Sequence, residues 1–290
     1  MEYIKLMRVK HWIKNLLIFF PIIFSGKFRL DIDNIIFYVL GFLAFSFVTS
    51  IVYIINDIID APKDRLHEEK KKRPIASGKI KVRNAIILIM FLCIGVAGIL
   101  LIFKRNILLK ILICLILYFI LNLAYSFKLK RIPIIDVSVI VIGFLVRTFY
   151  GGVLADVEIS NWLYLTVLSM SYYLALGKRR NEMIKSTETR DVLSLYTKEF
   201  LDKNMYVFLG LTITFYALWA TDTTTITNLG NNLLAFSVPL VIVICMKYSL
   251  SIEKEKSGDP VEVLLKDKFL MILVIIYILF ILYIYLQLFY

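Results

Sequence analysis

Nine apolar segments, separated by shorter charged stretches, run through this 290-residue chain. A helix of about 20 apolar residues crosses the roughly 30 Å hydrocarbon layer of a bilayer. The nine candidate membrane helices cover residues 12–26, 35–56, 84–103, 107–124, 134–154, 161–177, 204–221, 231–250 and 269–289. Hydrophobic residues make up 60% of the chain, above the share of about half in a soluble domain. The sequence therefore predicts an all-α, polytopic membrane protein.

Lysine and arginine are distributed very unevenly between the two alternating sets of loops. One set, which includes the N-terminus, carries 28 of the 34 basic residues and the other carries 4, with Lys110 and Arg147 inside apolar segments. Basic loops stay on the cytoplasmic side of a membrane. We therefore predict a bacterial plasma-membrane protein with a cytoplasmic N-terminus, cytoplasmic charged loops and an external C-terminus.

Several other classes of protein are disfavoured by the same composition. The net charge of +12 is spread between apolar segments, and no DNA- or RNA-binding motif is present, so no nucleic-acid partner is predicted. The three cysteines lie inside apolar segments, without the spacing of a metal site or a disulfide framework. No Gly/Ser-rich or Pro-rich linker divides the chain. We predict a single domain over residues 1–290, and the oligomeric state stays open.

Three aspartates end the second apolar segment, and a basic cluster follows them. Asp57, Asp60 and Asp64 are spaced three and four residues apart, so on a continuing helix they lie on one face. Carboxylate oxygens suit Mg²⁺, which is usually shared with substrate phosphates. Asn56 adds an amide oxygen, and residues 70–73 add cations for phosphate oxygens. This pattern predicts a magnesium–diphosphate site with Asn56, Asp57, Asp60 and Asp64 as the metal ligands.

Pro62 complicates this prediction, because it removes a backbone donor and disfavours helix at Ala61. A kink there makes Asp64 the weakest of the predicted ligands. The alternative interpretation is purely structural. In that case the aspartates only end a membrane helix in water, and the basic residues only set the orientation of the chain.

The fifth apolar segment carries two ionisable residues, Asp136 near its predicted cytoplasmic start and Arg147 eleven residues later. Eleven residues are three helical turns, so both side chains point in nearly the same direction. Ionisable groups at membrane depth are costly and usually face a polar cavity. The pair therefore fits a pocket that accepts phosphates. Alternatively, Arg147 extends to the interface or pairs structurally with a neighbouring helix.

Further polar residues lie near the predicted cytoplasmic ends of other apolar segments. Lys178 and Arg179 follow the sixth segment, where a substrate role for Lys178 competes with an ion pair to Glu182 four residues later. Near the N-terminus, Asn15 is a polar residue in an apolar run, and it either lines the cavity or joins helices by a hydrogen bond.

Together, these motifs resemble the UbiA-type intramembrane prenyltransferase superfamily. The resemblance is carried by N-D-x-x-D-x-x-x-D at residues 56–64, followed by Arg73, Pro74 and Gly78, in a chain with about nine predicted spans. It implies an all-α fold with helices around a central cavity that opens to the cytoplasmic side. It also implies aspartates that bind Mg²⁺ and a diphosphate.

Within that superfamily, the chain is most similar to the decaprenyl-phosphate phosphoribosyltransferase branch. The loop after the sixth segment lacks the second D-x-x-x-D motif that aromatic prenyltransferases usually carry. The stretches that match the phosphoribosyltransferase branch are W-x-K-N at 12–15, YSFKLKRIPIID at 125–136, GFLVRTFYGG at 143–152, GKR at 177–179 with Glu182, LSLYT at 193–197 and GDPVEVLLKD at 258–267. The resemblance covers almost the whole chain.

This branch transfers phosphoribose from 5-phosphoribosyl 1-diphosphate to the phosphate of a polyprenyl lipid, and the resemblance implies the same reaction here. It implies that the aspartates of residues 56–64 form the Mg²⁺–diphosphate motif, and that Asp136 with Arg147 forms the second motif. With the resemblance, the predicted catalytic residues are Asp57, Asp60, Asp136 and Arg147, and the predicted substrate-binding residues are Lys14, Asn15, Arg73, Tyr125, Lys128, Lys178 and Arg179.

Two other functions stay open at this point. The first is transfer of a prenyl group from a prenyl diphosphate to an aromatic or other acceptor, with the same first motif. The second, of another class, is a membrane transporter or scaffold whose intramembrane charges line a permeation route. That function predicts broken helices in two matching halves of the chain.

Overall fold

The structure is a computed structural model that describes residues 1–24, 32–68, 70–185, 191–254 and 260–287. Within these ranges the chain is helical and contains no β-strand. The α-helices are α1 (Glu2–Leu6), α2 (Phe19–Phe24), α3 (Ile32–Asp64), α4 (Val82–Leu100), α5 (Arg105–Phe127), α6 (Ile135–Ala155), α7 (Asn161–Lys185), α8 (Lys198–Thr221), α9 (Thr223–Leu229), α10 (Val238–Lys254), α11 (Pro260–Lys266) and α12 (Lys268–Leu286). Five 3₁₀ helices join them, at Val9–Ile18, Lys70–Lys72, Leu129–Arg131, Asp191–Leu195 and Leu233–Ser237.

Seven stretches of the described residues are long and apolar enough to cross a membrane. They are Asn34–Asp64, Val82–Leu100, Arg105–Phe127, Ile135–Ala155, Lys198–Thr221, Leu233–Glu253 and Lys268–Tyr285. The prediction of an all-α polytopic membrane protein is confirmed, but the count of nine spans is not.

The two remaining predicted spans differ from these seven for identifiable reasons. Residues 12–24 form a 3₁₀ helix followed by the six-residue α2, while residues 25 and 26 lie outside the described part of the chain. The segment 161–177 does form the start of α7. However, it mixes leucine with serine, threonine and tyrosine, which lowers its hydropathy below that of the other spans.

The described residues divide into two compact units. The first comprises Met1–Ile23, Phe28–Phe127 and Val146–Val157, and the second comprises Phe24–Lys27, Lys128–Leu145 and Glu158–Tyr290, in each case for the residues that the structure describes. Helix α6 contributes its first half to the second unit and its second half to the first. That residues 1–290 form a single domain stays a prediction.

In the first unit, α3 packs against α4, α5 and the N-terminal 3₁₀ helix. Fully buried Phe45 of α3 contacts the ring of Tyr150 of α6, with ring centroids 5.0 Å apart. Gly151 of α6 allows the 3₁₀ helix to come unusually close, because a Cβ atom there would lie 1.9 Å from the carbonyl oxygen of Ile18. The close approach fixes the N-terminal segment against α6.

In the second unit, α7 and α8 pack along each other, and α10 packs against α8 and α12. An ion pair between Arg180 of α7 and Asp202 of α8 joins the first two of these helices. At the start of α12, Asp267 caps the helix by accepting a hydrogen bond from the backbone N–H of Leu270, at 3.0 Å. These contacts hold the charged ends of the helices in fixed positions.

Candidate active site

The aspartates of the first motif all lie on the last turns of α3. This helix has 33 residues, so it is about 50 Å long and extends well beyond the hydrocarbon thickness of a bilayer. It continues through Pro62 and ends at Asp64. Asp57, Asp60 and Asp64 therefore share one continuous helix, and the predicted kink at Pro62 stays a prediction.

Two of these aspartates share the same arginine. Nη1 of Arg73 lies 2.7 Å from Oδ2 of Asp64 and 3.3 Å from Oδ1 of Asp57. Arg8 also binds Asp57, with Nη2 at 2.5 Å from Oδ1. The side chain of Asp57 is only 3% exposed, whereas those of Arg8 and Arg73 are 23% and 30% exposed. The carboxylates thus hold two arginine side chains that remain partly exposed.

The predicted metal ligands are chemically suited to a hard cation. The Oδ1 atom of Asn56 is buried and has no hydrogen-bond partner among the described residues. Asp60 is half-buried on the same helix. Amide and carboxylate oxygens are the ligands that Mg²⁺ takes, so this donor set fits the ion. Within the part of the chain that the structure describes, however, no three His, Cys, Asp or Glu side chains are grouped closely enough to hold a metal.

Arg147 lies in a separate polar cluster in the interior of the first unit. Its Nε donates to Oδ1 of Asn15 at 2.8 Å, and its Nη2 donates to the hydroxyl of Tyr118 at 2.8 Å. The guanidinium also lies over the rings of Tyr118 and Phe45, 4.8 and 5.6 Å from their centroids. Asn15 in turn donates to Ser46 at 3.0 Å. These contacts match the structural alternative for Arg147, in which it pairs with neighbouring helices.

The N-terminal segment runs along α3 in the opposite direction. Side-chain hydrogen bonds join the two, among them those from Arg8 to Asp57, from Trp12 to Ser50 and from Asn15 to Ser46. Sequence reasoning did not assign Arg8, Ser46 or Ser50 to the site. The sequence does contain a pattern that indicates the two serines. Residues 46, 50 and 57 recur at helical spacing and form a polar stripe in an apolar segment. Lys14 is half-buried on the same segment.

A second charged cluster forms in the second unit around Asp136. Its Oδ2 accepts from Nε of Arg179 at 2.6 Å, and its Oδ1 accepts from the hydroxyl of Tyr196 at 2.6 Å. Nη1 of Arg179 also donates to Glu182 at 2.6 Å. Asp136 is 0% exposed and Arg179 is 1% exposed. The structure thus joins the predicted residues Asp136 and Arg179, and it adds Tyr196, to which sequence reasoning gave no role.

The remaining predicted residues lie near the ends of helices. Lys178 is half-buried on α7, next to Arg179. Tyr125 is half-buried in the last turn of α5, and Lys128 is exposed just before the 3₁₀ helix Leu129–Arg131. Their roles stay predictions.

A sequence profile of the UbiA prenyltransferase family matches residues 17–273. The chain belongs to this family. The decaprenyl-phosphate phosphoribosyltransferase of Corynebacterium glutamicum is 32% identical over 279 residues, which are 94% of this chain and 83% of the relative. The enzyme of the same name from Mycolicibacterium smegmatis is 31% identical over 284 residues, 93% of this chain and 88% of the relative.

The fold of this UbiA family member also has solved counterparts. A UbiA homologue from Archaeoglobus fulgidus bound to GPP and Mg²⁺ superimposes with a TM-score of 0.70, at 20% identity and with 98% of each chain covered. The resemblance seen in the motifs is confirmed. This UbiA protein is an integral membrane transferase, which removes the transporter and scaffold alternative.

Proposed function

We propose that this UbiA protein transfers 5-phosphoribose from phosphoribosyl diphosphate to the phosphate of a polyprenyl phosphate lipid, with release of diphosphate. The observation that carries this proposal is the similarity to two decaprenyl-phosphate phosphoribosyltransferases over more than nine-tenths of the chain. The charged cluster on α3 supplies residues suited to a diphosphate leaving group.

Cleavage of the bond between sugar C1 and the diphosphate leaves an oxocarbenium-like sugar and puts negative charge on the leaving group. Preorganised cations aimed at that charge lower the barrier. Arg8 and Arg73 are suited to this role, because buried Asp57 and Asp64 hold them while part of each side chain stays exposed. Arginine can bind phosphate oxygens through two parallel hydrogen bonds.

Asn56, Asp57, Asp60 and Asp64 are the residues that would hold Mg²⁺. The bound ion would neutralise charge on the diphosphate as a Lewis acid. Lys178 and Arg179 provide further cations for the phosphate groups of the substrates. Arg147 bonds Asn15 and Tyr118 in the first unit, and its predicted role at a substrate phosphate stays a prediction.

The acceptor places few demands on the protein. Its phosphate is already an anion, so no strong general base is needed. Its apolar tail enters from the bilayer, which explains why the catalyst is embedded in the membrane. The distribution of basic residues supports an orientation in which the N-terminus and the charged ends of the helices face the cytoplasm of a bacterium and the C-terminus lies outside.

A transfer assay with two donors tests the proposal. Purified protein receives labelled phosphoribosyl diphosphate with a polyprenyl phosphate or, in parallel, geranyl diphosphate with an aromatic acceptor, each with and without Mg²⁺. We expect label in the lipid only in the first reaction and only with Mg²⁺. Transfer from geranyl diphosphate alone would refute the proposed donor in favour of prenyl transfer, the chemistry consistent with the GPP-bound homologue.

The same assay tests the first aspartate. We expect Asp57→Asn to lower turnover by about 100-fold or more, because it removes charge that orders the phosphate-binding arginines. Asp222→Asn is the matched control, since Asp222 caps α9 through a hydrogen bond from the N–H of Thr224 and asparagine can cap as well. Near-normal turnover by a folded Asp57→Asn variant would remove this residue from the catalytic set.

A further inference from the structure

Ile134, just before α6, has a backbone conformation that its side chain disfavours. Its φ is +69°, in the left-handed region that L-residues rarely adopt, and a β-branched residue there is a genuine outlier. Its backbone N–H donates to the hydroxyl oxygen of Tyr196 at 2.5 Å. A conformation of this kind persists only where surrounding contacts hold it. Tyr196, 62 residues later in the chain, provides one of those contacts.

The same hydroxyl also binds Asp136. Because the N–H of Ile134 must be the donor in the first hydrogen bond, the phenol oxygen accepts there and donates its own proton to Oδ1 of Asp136, at 2.6 Å. Burial, together with the hydrogen bond to Asp136, raises the pKa of Tyr196 above its ordinary value, so the phenol keeps its proton near neutral pH. One hydroxyl therefore fixes both the turn and the carboxylate.

Tyr196 is itself held in place by the start of α8. The next residue, Thr197, caps that helix by accepting from the N–H of Phe200 at 3.1 Å, and the rings of Tyr196 and Phe200 stack with centroids 5.9 Å apart. Because the ring is anchored independently of its hydroxyl, removing the hydroxyl alone leaves the packing in place.

We infer that Tyr196 is a positioning residue for the phosphate-binding end of α7. It acts through Asp136, whose second oxygen holds the Nε of Arg179 at 2.6 Å, next to Lys178. The inference rests on the function proposed above, in which Lys178 and Arg179 bind substrate phosphates. The inference gives the LSLYT segment a role. Neither the charge pattern nor the aspartate motif predicts that role.

The test separates the two contacts of the hydroxyl. Tyr196→Phe loses both, whereas Ile134→Gly removes the need to hold the turn, because glycine adopts positive φ readily. We expect Tyr196→Phe to lower the midpoint of thermal unfolding. In the double variant Ile134→Gly/Tyr196→Phe, this midpoint should return towards that of the unmodified protein. The affinity of the double variant for phosphoribosyl diphosphate should nevertheless stay about tenfold weaker, as for loss of a hydrogen bond to a charged group.

Binding is measured by calorimetry in nanodiscs with MgCl₂ present. Tyr206→Phe is the matched control, because it removes a phenol that donates to Glu253 at 2.7 Å in the same unit. This control should bind as the unmodified protein does. In addition, Asp136→Asn should weaken binding, and adding Tyr196→Phe to it should weaken binding no further, because both changes act on one pathway.

Each other result overturns the inference. If Ile134→Gly, added to Tyr196→Phe, restores affinity as well as stability, Tyr196 serves only the turn. Unchanged affinity in Tyr196→Phe, or additive losses with Asp136→Asn, would show that Tyr196 does not act through Asp136. The series is repeated with inorganic diphosphate, which either class of donor releases. If the protein binds inorganic diphosphate but not phosphoribosyl diphosphate, the proposed donor is refuted. The affinities of the same variants for inorganic diphosphate would then test the inference.

Discussion

Gly151→Ala tests the close approach between α6 and the N-terminal 3₁₀ helix. The new Cβ atom would lie 1.9 Å from the carbonyl oxygen of Ile18, and real Cβ atoms essentially never come within 3.0 Å of another heavy atom. The segment must therefore retreat by at least about 1.1 Å. The oxygen of Ile18 is a backbone atom, and the new Cβ atom is bonded directly to the backbone of α6. No side-chain rotation therefore relieves the contact.

The retreat also affects the polar cluster one turn away. It would lengthen the 2.8 Å hydrogen bond between Arg147 and Asn15 beyond the usual limit of about 3.2 Å. Losing a hydrogen bond to a charged group costs about 1.5–3 kcal/mol, and overpacking costs about 1–3 kcal/mol. Replacing glycine by alanine within a helix returns roughly 1 kcal/mol. We therefore expect a net loss of about 3 kcal/mol in the free energy of unfolding.

Unfolding in detergent, followed by tryptophan fluorescence, measures this loss, because Trp12 lies on the displaced segment and donates to Ser50. The matched control is Gly98→Ala on α4, where an added Cβ would meet no atom within 4 Å. The control should be as stable as the unmodified protein or up to about 1 kcal/mol more stable. If Gly151→Ala unfolds at the same midpoint as Gly98→Ala, the close approach is not a feature of the molecule.

Two further predictions concern charged residues away from the aspartate motif. Arg147→Lys should cost about 1–3 kcal/mol in the same unfolding assay, because a single ammonium nitrogen cannot occupy both the Nε position that bonds Asn15 and the Nη2 position that bonds Tyr118. An unchanged midpoint would contradict this. The hydrogen bond from Lys247, followed by that from Ser251, lowers the pKa of Asp267, so the stabilisation is present above about pH 4 and lost as the pH falls below it. The difference in midpoint between the protein and Asp267→Asn should accordingly shrink from pH 7 to pH 3, and a constant difference would refute the assignment.

Much of the fold follows from local sequence pattern. Long apolar segments predict membrane helices because their length and hydropathy are local properties, and seven such helices are present in the described residues. The N-terminal segment was harder to predict, because hydropathy does not distinguish a 3₁₀ helix from an α-helix. Its conformation depends on long-range contacts, such as that of Ile18 with Gly151.

The candidate site was predictable to a similar extent. The spacing of Asp57 and Asp64 places them on one helical face, and the structure joins both to Arg73 within the same short stretch. Arg8 lies 49 residues from Asp57 in sequence, and Tyr196 lies 60 residues from Asp136. No local periodicity carries information about such pairs, because they form only when separate helices pack together.

The contacts of Arg147 have a consequence for the biogenesis of the protein. Asn15, Tyr118 and Phe45 all precede Arg147 in the chain, so they emerge from the ribosome before α6 does. An arginine entering a bilayer without hydrogen-bond acceptors is costly. Here the acceptors are already synthesised when α6 reaches the insertion machinery, and a chain lacking its first 15 residues would present Arg147 to the lipid without one of them.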